Sequence, residues 1–110
     1  MDWIKEFNGA VTLCNTEGTI TYMNNKALKT FENDGGDRLI GTNVLDCHPE
    51  PSKSVLKDLM MNQKSNVYTI EKNSVKKLIY QSPVFTDGKY SGFVEISLEI
   101  PIELPNFIRK

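Results

Sequence analysis

With 110 residues, 39% of them apolar and 25% charged, the chain has the size and make-up of one ordinary globular domain. A formal net charge of -1 with no basic block removes the electrostatic footprint of a nucleic-acid binder. No apolar run approaches the roughly 20 residues of a membrane span, and the residues from Met1 to Glu6 lack a secretory pattern. A cytoplasmic protein with two free thiols, Cys14 and Cys47, is therefore expected.

In chain order, Trp3, Ile4 and Phe7 share one helical face, which predicts a short N-terminal helix over residues 1–8 ended by Gly9. Residues 10–15 and 20–24 read as strands, joined by a Gly-containing hairpin loop at 16–19. Asn24 and Asn25 can cap a short helix over 26–31, and the run from Asn33 to Gly36 breaks it. Residues 35–51 mix Leu39, Ile40, Val44 and Leu45 with turn formers. They carry Cys47 beside His48, the only histidine. Such a stretch predicts short helical turns wrapped over a sheet, with a cavity beneath.

The best helix is expected over 52–64, with Ser52 as N-cap and Val55, Leu56, Leu59 and Met60 on its apolar side. Three strands follow at 66–72, 76–85 and 90–100, turning at Asn73-Ser74 and at Asp87-Gly88. Pro101 closes the pattern, and Pro105 forbids its continuation within a tail over 102–110. Two strand groups with helices inserted between them predict an α+β domain: one antiparallel sheet with helices on one face.

Three motifs now carry a resemblance. The run from Asn15 to Asn24 looks like the first hairpin of PAS domains, with Asn15 where an acid is usual. Leu39-Ile40-Gly41-Thr42-Asn43 is similar to their Gly-x-Asn signature. The run from Asp87 to Ile100 resembles their last hairpin. Across residues 3–101 the resemblance implies a five-stranded sheet in order 2-1-5-4-3 and a ligand pocket between sheet and helices. It also implies a sensory or signalling module that works by binding a small ligand, by dimerising, or by joining a signalling partner. A ligand-free dimerisation scaffold and a haem-based redox or gas sensor are the alternatives.

Strand periodicity gives two readings of the sheet faces. Hydrophobicity alone puts Val94, Ile96 and Leu98 under the helices and leaves Gln81 and Glu95 in water. The family register does the reverse. It turns Thr12, Cys14, Ile79, Gln81, Phe93, Glu95 and Ser97 toward the pocket, with Asn43, Cys47 and His48 completing the candidate ligand-binding set. Val11, Leu13, Leu78, Tyr80, Val94, Ile96 and Leu98 then form an outer apolar face. Such a face predicts a homodimer that also uses the N-terminal helix.

His48 is the one imidazole that could ligate haem, although it lies just before the long helix, whereas the haem-binding relatives place theirs within it. Val44 follows Asn43 where flavin light sensors carry their reactive cysteine, so that photochemistry is not expected. Cys47 could be a redox-sensitive thiol or a small packing residue. One histidine, two unpaired cysteines and no phosphate-binding loop or nucleophile elbow predict neither a metal site nor an enzyme.

Overall fold

The computed structural model describes residues 2–110. Among them are strands β1 (Ala10–Cys14), β2 (Ile20–Met23), β3 (Asn66–Lys72), β4 (Val75–Thr86) and β5 (Lys89–Ile100). Two α-helices, α1 (Asn25–Thr30) and α2 (Ser52–Met61), are accompanied by 3-10 turns at Glu32–Asp34, Gly36–Leu39 and Val44–Cys47. The strands form one antiparallel sheet in order β2-β1-β5-β4-β3, as expected.

Local chemistry explains the turns. Asp87 and Gly88 sit at φ 52° and 78°, and Asn73 and Ser74 at 53° and 65°. Each pair makes a two-residue hairpin whose left-handed backbone matches the strand twist.

The sheet is two-sided. Thr12, Glu95, Gln81 and Asn66 stand opposite one another across four strands. Because side chains alternate, they share the face with Cys14, Phe93 and Ile79. Two apolar clusters close over that face. Cys14 and Phe93 pack with Leu56, Leu59 and Met60 of α2. Ala10, Ile20 and Met23 pack with Ala27 of α1, and Val44 adjoins both clusters. On β4 and β5 the burial follows the family register: Gln81 is 6% exposed, while Leu78, Ile96 and Leu98 of the other row are only half-buried and Tyr80 is 42% exposed; Val11 of that row, on β1, is buried.

Asn24 locks the N-terminal half together. Its Nδ2 donates to the carbonyls of Ile4 and Gly9, and its Oδ1 accepts from the amides of Val11 and Ala27. With 1% exposure and four partners, the side chain both caps α1 and ties it to β1.

Two expectations are corrected. In place of the N-terminal helix, residues 3–6 form a turn closed by Phe7 N donating to Ile4 O at 3.2 Å. Helix continuation needs the Ile4 and Lys5 carbonyls, but Asn25 N takes that of Lys5, and Asn24 Nδ2 shares that of Ile4 with Phe7 N. Met1, expected at the start of that helix, lies outside the described residues. Nor does Ser52 cap α2. Pro51 holds the N-cap position without a side-chain bond, and the carboxylate of Glu50 before it serves the first turn instead, accepting from Ser54 N at 2.9 Å and from the Ser54 hydroxyl at 2.7 Å.

Candidate functional site

A cavity of about 450 Å³ lies between the inner sheet face and the helical segment. Its volume is within the range of small-molecule sites. The sheet supplies Thr12 and Cys14 from β1, Gln81 from β4, and Phe93 and Glu95 from β5. The opposite wall comes from Phe31, Leu39, Val44, Cys47, His48 and Leu56, with Ile20, Met23 and Asp34 completing the lining.

The polar floor is ordered by a chain of amides. Asn66 Nδ2 donates to Gln81 Oε1 at 3.0 Å, and Gln81 Nε2 donates to Glu95 Oε1 at 2.9 Å. The first bond fixes which end of the Gln81 amide faces Glu95, so the carboxylate meets a donor rather than an acceptor. The carboxylate keeps further lone pairs for a ligand. Its negative charge acts second to burial in pushing the Tyr68 phenol above its usual range.

His48 Nδ1 lies 2.7 Å from the Val44 carbonyl. A carbonyl can only accept, so Nδ1 carries the proton and the Nε2 of a neutral ring is an acceptor. Cys47 is exposed, with Sγ 3.8 Å from the Asn43 carbonyl. Cys14 is buried, and burial pushes its thiol up, which keeps it in the protonated, unreactive form.

Seven of the ten candidate residues meet at this cavity: Thr12, Cys14, Cys47, His48, Gln81, Phe93 and Glu95. Three lie elsewhere. Asn43 serves the backbone, with Nδ2 donating to Glu17 O and Oδ1 accepting from Leu45 N, both at 2.9 Å. Ile79 is buried in the same strand row as Gln81, beyond the cavity lining. Ser97 borders a separate hollow of about 50 Å³ beside Lys26 and Lys77. Sequence reasoning missed Ile20, Met23, Phe31, Asp34, Leu39, Val44 and Leu56 as lining residues. Ile20 and Met23 could have been found by extending the inner row to β2, where they pair with Cys14 and Thr12. The others arrive from helical turns whose docking no periodicity specifies.

Among the described residues, no group of three or more His, Cys, Asp or Glu could hold a metal ion. No helix among them is long and apolar enough to cross a membrane.

No family model and no curated protein matches the chain. Its structure is similar to several solved ones. One is the Aer2 receptor from Vibrio cholerae, described as a dual PAS-haem oxygen sensor, with TM-score 0.64, 15% identity, and coverage of 84% of this chain and 94% of that one. A sensory box sensor histidine kinase from Vibrio cholerae gives 0.62 and 17%, with 93% and 89% covered. The PAS domain of BvgS from Bordetella pertussis gives 0.66 and 12%, with 88% and 80% covered. Sheet order and these likenesses agree: the chain has the PAS fold.

Proposed function

We propose that this PAS-fold chain is a sensory module that binds a small ligand in the cavity over Glu95 and passes the event on through a second copy or a signalling partner. The observation that carries this reading is the cavity itself. A fold that only bridged two partners has no need of a hollow of about 450 Å³ floored by Gln81 and Glu95, with the Gln81 amide oriented from behind by Asn66. Native mass spectrometry of purified protein, followed by a thermal-shift panel of metabolites, tests it. A retained small molecule, or a Tm rise that saturates with concentration, is expected. Neither appearing would leave the scaffold reading in possession.

The outer sheet face supports the association half of the proposal. Leu13, Leu78, Val94, Ile96 and Leu98 are half-buried there without a covering helix, and Trp3 is 61% exposed nearby in sequence to Phe7. Phe7 and Leu98 converge on Gly9, where an added Cβ would lie 2.8 Å from Phe7 Cε2 and 2.5 Å from Leu98 Cδ2. The N-terminal turn thus covers one corner, and a homodimer covers the rest. Sedimentation at tens of micromolar should show a dimer that Ile96→Lys dissociates. A wild-type monomer there removes this part.

One observation favours haem as a second reading. His48 donates from Nδ1 to a carbonyl, which is how ligating imidazoles are usually held. A Soret band in reconstituted protein that is lost in His48→Ala would support it, and no band would dismiss it.

A further inference from the structure

The charge inventory of the cavity selects among ligand classes. Its lining holds two carboxylates, Glu95 and Asp34, and no lysine or arginine among the described residues. His48 presents an acceptor when neutral, because its Nδ1 proton is committed to Val44 O. Gln81 has one N–H engaged by Glu95 and its oxygen engaged by Asn66. The donors that remain, the second Gln81 N–H and the Thr12 hydroxyl, are neutral, while the formal charge of the lining is negative. An anionic ligand would meet like charge with no lysine or arginine in the lining to offset it.

The rest of the wall is apolar, from Ile20, Met23, Leu39 and Leu56, with the rings of Phe31 and Phe93 added. Aromatic faces attract cations, and aliphatic walls favour a ligand with an apolar body. The polar end and the apolar walls belong to one cavity, so a single amphiphilic molecule can satisfy both.

We infer that the ligand is a small amine or guanidine with an apolar or aromatic body, its cationic head held by Glu95 and its body packed against Phe31 and Phe93. This rests on the ligand-binding reading above and narrows it. Glu95 then reads the charge, Gln81 and Asn66 position Glu95, and Asp34, an exposed member of the same lining, draws the cation in. Carboxylate metabolites are excluded by the same field.

Three probes of matched size test the inference: phenethylamine, 2-phenylethanol and 3-phenylpropionate, each titrated into 15N-labelled protein and followed by amide shifts. Phenethylamine should bind at the cavity and bind at least about tenfold more tightly than the alcohol. The propionate should not bind. Glu95→Gln, which keeps an acceptor for Gln81 and therefore the fold, should bring the amine down to the affinity of the alcohol. A circular dichroism melt of the variant confirms that it is folded. Cavity binding of the propionate or the alcohol as tight as that of the amine, or an amine affinity unchanged in Glu95→Gln, overturns the charge class while leaving the ligand site standing. No cavity shift with any of the three at millimolar concentration overturns the site and the inference together.

Discussion

Gln81 Nε2 donates to Glu95 Oε1 at 2.9 Å across the β4–β5 pair, and this bond sets the polarity of the cavity floor. Gln81 is buried while its two partners are half-buried, so water cannot readily replace it. Gln81→Leu keeps the volume but strands the Asn66 amide and the Glu95 carboxylate. Urea unfolding should show a loss of about 1–3 kcal/mol. An unchanged midpoint would mean that the amide chain is not formed in solution.

Asn24 should be the costliest polar side chain to remove. Asn24→Ala leaves the Val11 and Ala27 amides and the Ile4 and Gly9 carbonyls without their partner. A destabilisation of about 3–5 kcal/mol is expected, because several buried groups are orphaned at once. Asn24→Asp retains the acceptor that caps α1 but loses both donors. It should not restore the N-terminal turn, which amide exchange at Phe7 would report as lost protection.

The glycines separate two kinds of backbone demand. A Cβ on Gly92 would run into the Cys14 carbonyl, a backbone atom held by the β1–β5 ladder that cannot swing aside. Gly88 has positive φ but open space around it. Gly92→Ala should therefore cost about 3 kcal/mol or more, by forcing strands apart. Gly88→Ala should cost about 1–2 kcal/mol, from left-handed strain alone. Equal melting temperatures for the two variants would contradict this difference.

These positions also show what a sequence reveals. The two faces were legible because strand side chains alternate, so placing Gln81 on the inner face placed Ile79 and, across the ladder, Glu95 with it. Hydrophobicity alone pointed to the opposite register, since the outer row of Val94, Ile96 and Leu98 is the greasier one. The family motifs supplied the correct sense. The N-terminal helix failed for a tertiary reason: Trp3, Ile4 and Phe7 have helical spacing, but Asn25 N, far along the chain, takes the Lys5 carbonyl such a helix would use, and Asn24 Nδ2 shares that of Ile4. Phe31 and Leu56 escaped notice as cavity residues because docking, not periodicity, decides which side of a short helix faces an opening rather than a wall.

Acid should act on the start of α2 through Glu50. The Ser54 hydroxyl and amide hold this carboxyl below its ordinary value of 4.5, with smaller help from Lys53 and Lys57. A carboxyl whose pKa is lowered by folding contributes stability that is fully present above the unfolded value. That contribution is lost as pH falls through the folded value. Glu50→Gln can still accept from Ser54, but it has no charge to lose. The stability gap between wild type and Glu50→Gln should therefore be widest at neutral pH and narrow as the solution is taken below 4.5. Denaturant titrations across that range measure the gap. A gap independent of pH would show that the cap does not depend on the ionised carboxylate.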